Sequence, residues 1–142
     1  MEDKLFTAFS VALGEYGIQE WTQGHNPEVL KYFHEIGFTG VNDDETAWCA
    51  AYVNWCLWKA GLPHTGALTA RSFLDWGKSI YEPKVPCIAV LSRRGSSWMG
   101  HVGFWIKSSG SEIWLLGGNQ NNQVSIGKYP GYELLGLRTW KQ

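Results

Sequence analysis

Between Thr46 and Gly61 the chain reads Ala47-Trp48-Cys49-Ala50-Ala51-Tyr52-Val53-Asn54-Trp55-Cys56-Leu57-Trp58-Lys59-Ala60, and only Asn54 and Lys59 are strongly polar. Thr46 is a good N-cap residue, Gly61 fits the C-cap, and Pro63 prevents continuation. A helix that is apolar nearly all round is buried nearly all round. The pattern therefore predicts a central helix over 47–60, with the remaining elements packed about it.

Upstream, Leu5, Phe6, Phe9, Ala12 and Leu13 recur at three- and four-residue spacing, predicting a helix over 3–14 stopped by Gly14. Asn26 before Pro27 is an N-cap followed by proline at the first helical position. That helix carries Val29, Leu30, Phe33 and Ile36 inward and ends at Gly37. A further short helix spans 67–77, with Phe73, Leu74 and Trp76.

After Lys78 the period changes. Strand-like runs at 87–91, 101–106, 112–116, 124–126 and about 133–138 are separated by turn residues such as Ser108-Ser109-Gly110 and Asn119 to Asn122. Helices first and strands second, joined by short links, predict an α+β fold with an antiparallel sheet. No linker breaks the chain, so residues 1–142 are expected to form a single domain.

Composition narrows the function classes. With Lys+Arg 12 against Asp+Glu 13, the net charge of -1 gives no general attraction to nucleic acid or anionic lipid. No apolar run approaches the roughly 18–20 residues of a membrane span. The start, Met1-Glu2-Asp3-Lys4-Leu5-Phe6, lacks a basic region followed by an apolar core. The expectation is a monomer made in the cytoplasm and released or delivered to its place of action by something else. Three Cys without a framework spacing argue against a disulfide scaffold. The four His are far apart in sequence, and neither a metal site nor a cofactor is expected. Nine Trp exceed ordinary usage; they serve either as stacking surfaces or as core filling.

Cys49 lies in the first turn of the buried helix, where the helix field stabilises thiolate. His101 opens a strand, and Asn119 follows Gly117-Gly118 where the next strand ends. A thiolate, a base and an orienting amide make a Cys-His-Asn arrangement. On spacing alone the alternative is an inert packing cysteine.

The pieces Asn26-Pro27, Asp44-Glu45-Thr46-Ala47-Trp48-Cys49-Ala50, Ala70-Arg71-Ser72-Phe73-Leu74-Asp75-Trp76-Gly77, Gly100-His101-Val102-Gly103-Phe104 and Leu116-Gly117-Gly118-Asn119-Gln120 occur in that order. Together they resemble the CHAP and NlpC/P60-like cysteine peptidases, particularly a single-domain phage and prophage group. The resemblance implies a papain-like α+β fold with Cys49 as nucleophile, His101 as general base and Asn119 as the orienting member. It implies bacterial peptidoglycan as partner and cleavage of an amide bond in its peptide part, as in an endolysin. The same triad serves amidase and endopeptidase cleavage. Pro86-Cys87-Ile88 departs from a Pro-Gly-x-Ile type strand entry, and Cys87 reads as a structural substitution.

Trp48, Trp98, Arg93 and Gln120 are the candidate substrate-binding residues, with Arg93-Arg94 suited to an acidic stem peptide. Cys56 reads as core. The acidic segment Asn42-Asp43-Asp44-Glu45 reads as capping and solvated rather than calcium-binding. Glu20 and Arg71 read as a structural salt bridge. Competing functions are a non-catalytic cell-wall glycan-binding module, an injected antibacterial amidase effector and a thiol acyltransferase.

Overall fold

The computed structural model describes residues 3–42 and 47–140. Helix α1 is Lys4–Gly14, with Asp3 as its cap: the carboxylate accepts from the Leu5 and Phe6 N–H groups at 3.0 and 3.2 Å. Helix α2 is Pro27–His34, capped by Asn26, whose side-chain oxygen accepts from Glu28 N–H at 2.9 Å. Both starts follow from local side-chain capping.

Helix α3 is Cys49–Lys59, two residues shorter at its start than the pattern predicts. Trp48 occupies the cap position and offers no side-chain cap; the expected cap, Thr46, lies outside the described residues, as does Asp43-Asp44-Glu45. Cys49 is therefore the first helical residue. At the other end Gly61 adopts φ +79°, as a C-terminal stop requires. The predicted helix over 67–77 is instead a 3-10 helix at Ala70–Asp75.

The sheet contains β1 (Lys78–Ile80), β2 (Ile88–Ser92), β3 (Gly100–Ser109), β4 (Glu112–Gln120), β5 (Gln123–Pro130) and β6 (Leu134–Thr139). Its order is β1-β6-β2-β3-β4-β5, with every pairing antiparallel. β1 is short and mostly exposed, which is why no hydrophobic run marks it. β3 outruns its apolar segment because the hairpin turning at Gly110 extends beyond the core, whereas β4 continues at its other end through Gly117-Gly118 to the buried Gln120.

Helix α3 packs between α1 and α2 and one face of the sheet, against β3 and β4. Its Trp48, Tyr52, Val53 and Leu57 are fully buried, as the all-round apolar pattern requires. Buried aromatic polar atoms are satisfied: Tyr52 donates to Ala12 O at 2.8 Å, and the indoles of Trp48 and Trp55 donate to Glu20 and Glu35 at 2.9 Å. A second, smaller cluster formed by Cys87, Ala89, Leu91, Ile113, Leu115 and Leu137 has Tyr129 packed against it.

Candidate active site

Cys49 is buried at the first position of α3, where a backbone N–H has no intrahelical partner. His101 comes from the start of β3, opposite Leu91 of β2. The thiol and imidazole line the same cleft, and each shifts the titration of the other. A cleft of about 350 Å³ opens over them, walled by Arg93, Arg94, Asn119, Gln120, Tyr129 and Tyr132.

The residue bonded to His101 is Gln120, not Asn119. Its side-chain oxygen lies 2.8 Å from His101 Nε2. The cause is a bulge. Gly117 pairs with Ser125, but Gln120 pairs with Gln123, so Gly118 and Asn119 together face Val124. Regular alternation would place residue 119 on the Leu115–Gly117 face of the strand. The extra residue, Asn119 at φ +57°, hands that face to Gln120. Asn119 lines the cleft, and among the described residues no hydrogen bond joins it to His101.

Gln120 is held firmly. Its amide nitrogen donates to Leu115 O at 3.1 Å and Ser125 O at 2.6 Å, which fixes the nitrogen end and turns the oxygen to His101. Because that oxygen only accepts, His101 carries its proton on Nε2, leaving Nδ1 for the thiol. Two glycines make room. A Cβ at Gly117 would come within 2.6 Å of the Gln120 oxygen, and one at Gly118 within 2.8 Å of the Trp48 ring.

Burial pushes the Cys49 thiol up, but the hydrogen bond and charge of His101, with backbone hydrogen bonds at Val102 and Ala50, outweigh it and hold the thiol below its usual range. Burial pushes His101 down; the hydrogen bond and charge of Cys49 and the Gln120 contact outweigh that and hold it above its usual range, against the opposing charge of Arg93. The two groups are thus drawn toward thiolate and imidazolium and titrate as a pair. Such a pair is an activated nucleophile with an acid beside it, suited to attack on an acyl carbon.

The other candidates divide. Arg93 and Gln120 line the cleft. Trp48 does not: it is fully buried, stacked on Tyr32 at 5.7 Å, and belongs to the core. Trp98 is 75% exposed and lies outside the residues that wall the cleft. Arg71 does not pair with Glu20; it binds the carbonyls of Met99, at 3.0 Å, and Ser96, pinning the loop before His101. Cys56 and Cys87 are buried free thiols, both pushed up by burial, and neither is a nucleophile candidate. Among the described residues no group of His, Cys, Asp and Glu is arranged to hold a metal ion.

Sequence reasoning missed Tyr129, whose hydroxyl lies 3.1 Å from His101 Nε2. Alternation through Val124, Ile126 and Lys128 could have extended β5 to reach it, but Pro130 closes the segment and discourages that extension.

The CHAP domain family profile matches residues 41–119, more than half of the chain. Comparison with the curated proteins returns no match. Among solved structures the chain is similar to a Staphylococcus aureus subsp. aureus Mu50 protein described as similar to lipoprotein, NLP/P60 family, at TM-score 0.57 and 17% identity. The alignment covers 100% of this chain and 43% of that one, so the chain spans less than half of that protein's length. At this identity the likeness is one of fold.

Proposed function

The chain belongs to the CHAP domain family of peptidoglycan-associated, hydrolase-type domains, and from that premise we propose that it is a cysteine amidohydrolase cutting an amide bond in the peptide part of the bacterial cell wall. The observation that carries this reading is the Cys49 thiol at the start of α3, sharing an open cleft with an imidazole that Gln120 holds and whose charge draws it toward thiolate.

Cys49 thiolate attacks the carbonyl carbon, and its backbone N–H at the helix start faces the developing oxyanion. As the C–N bond breaks, His101 passes its Nδ1 proton to the leaving amine and a thioester remains. Water then attacks the thioester, His101 accepts the water proton, and Cys49 departs as thiolate. Gln120 keeps the imidazole in the tautomer this cycle needs, the role first assigned to Asn119. Arg93 and Arg94 give the cleft a positive rim suited to an acidic stem peptide. The resemblance to single-domain phage proteins favours an endolysin that reaches the wall after release.

The test is mass spectrometry of muropeptides released from purified peptidoglycan. Wild type yields fragments whose masses name the bond cut, and Cys49→Ala yields none while its melting temperature stays close to wild type. Fragments released by Cys49→Ala at more than about one tenth of the wild-type rate refute the mechanism. Wall binding without any release by wild type favours the binding module instead.

A further inference from the structure

Every partner of the His101 imidazole comes from a different element. Cys49 approaches from α3, Gln120 from β4 and Tyr129 from β5, while Arg93 follows β2 and Glu133, ahead of β6, lines the same cleft. Of these, Tyr129 has no part in the mechanism above. Its hydroxyl is 3.1 Å from Nε2, the ring centroids are 5.0 Å apart, and the planes meet at 30°.

The direction of the Tyr129 hydrogen bond follows from its neighbour. Suppose the phenol donated to Nε2. That nitrogen would then offer a lone pair to the Gln120 oxygen at 2.8 Å, placing acceptor against acceptor. The Gln120 amide cannot turn over to relieve this, because its nitrogen is occupied by the carbonyls of Leu115 and Ser125. Nε2 is therefore the donor, and Tyr129 accepts a share of the same proton. Burial, followed by the Cys49 charge, pushes the phenol up, so it stays neutral across the range in which the site works.

We propose that Tyr129 is a second positioning residue for the His101 imidazole: its oxygen shares the Nε2 proton with Gln120, and its ring sets the imidazole plane. The proposal deepens the Cys49–His101 reading and rests on it. The arrangement has a distinct chemical character. Two neutral acceptors hold the Nε2 proton and favour imidazolium without neutralising its charge. Among the described residues, Cys49 is the one group in contact with the imidazole that supplies a counter-charge. The ring adds what Gln120 cannot, because a single hydrogen bond leaves the imidazole free to tilt about it.

Two readouts need no cell-wall substrate: the NMR titration of His101, and the pH dependence of Cys49 alkylation by iodoacetamide. Tyr129→Phe keeps the ring and removes the acceptor. His101 in that variant should titrate lower by about half to one pH unit, the size of one ordinary hydrogen bond. The upper limb of hydrolysis should move down with it, with the larger loss in kcat rather than KM. Tyr129→Leu removes ring and acceptor and should slow alkylation beyond the Phe variant. A folded Tyr129→Phe whose His101 titration stays within about 0.1 unit of wild type, or moves upward, overturns the proposal. Should wild type release no muropeptides while Tyr129→Phe still moves the His101 titration, the hydrolase reading fails and the positioning role stands.

Discussion

Gln120→Ala tests which amide holds the His101 imidazole. It removes the 2.8 Å contact to His101 Nε2 and both backbone contacts that orient the amide. A hydrogen bond to a group that becomes charged contributes about 1.5–3 kcal/mol, which is roughly a 10- to 150-fold loss in kcat/KM. The same change leaves the Leu115 and Ser125 carbonyls without that donor, costing roughly 1–3 kcal/mol of stability. Rates are therefore compared well below the melting temperature of the variant. The control is Asn119→Gly rather than Asn119→Ala. Asn119 has φ +57°, so glycine removes the side chain without strain, whereas alanine would add about 1–2 kcal/mol of backbone cost. Asn119→Gly should retain kcat within about threefold of wild type, since in this geometry its amide contributes no bond to the imidazole. Muropeptide release is followed with both variants at matched folded fraction. If Asn119→Gly loses activity as severely as His101→Ala while Gln120→Ala is silent, the bulge does not select the orienting residue and the account of the site is wrong.

Arg93→Gln should move the basic limb of the pH–kcat/KM profile upward, because the Arg93 charge opposes protonation of His101 and its removal makes imidazolium easier to keep. An unchanged or lowered limb would separate Arg93 from the imidazole. Gly118→Ala should cost roughly 1–3 kcal/mol in urea unfolding, since its Cβ would sit 2.8 Å from both the Trp48 ring and Tyr52 Cβ. A variant as stable as wild type would mean that the helix and strand can part there without cost.

Much of this architecture is legible in the sequence because its signals are local. Asp3 and Asn26 cap their helices through their own side chains, and the apolar run from Ala47 to Ala60 allows little except burial. Cys49 and His101 each stand beside a strong punctuator, a helix start and a glycine-led strand. The side chain that contacts His101 is Gln120 rather than the expected Asn119, for a reason that local pattern does not carry. Phe104 pairs with Leu116, so simple extension of that register brings residue 119 opposite His101. The bulge after Gly117 turns the side chain away and presents Gln120. A bulge is a property of two strands together, and Gly-Gly-Asn-Gln signals only that some irregularity is tolerated there. Trp48 was misread by adjacency. Trp48 precedes the first helical residue with non-helical backbone, φ -126° and ψ 15°, so its side chain leaves in a different direction and enters the core while Cys49 lines the cleft.

Among the described residues the hydrogen-bond partners of His101 include no carboxylate, and in the proposed cycle this sets the order of events. A histidine held by aspartate keeps a negative partner throughout a catalytic cycle. Here the charge that favours imidazolium comes from Cys49 itself, with Gln120 and Tyr129 contributing only neutral acceptors. In the proposed cycle Cys49 would lose its charge on becoming a thioester, and both of its contributions to His101 would disappear. What remains is burial and Arg93, which press the imidazole toward its neutral form, against the Gln120 contact. Acylation would therefore convert the acid that protonates the leaving amine into the base that the incoming water requires. Arg93 would sharpen the conversion from the cleft rim, so Arg93→Gln should leave less of the imidazole neutral at the deacylation step even as it widens the range over which the thiolate–imidazolium pair forms. The arginine proposed to meet an acidic stem peptide would thus also favour the neutral imidazole that deacylation requires.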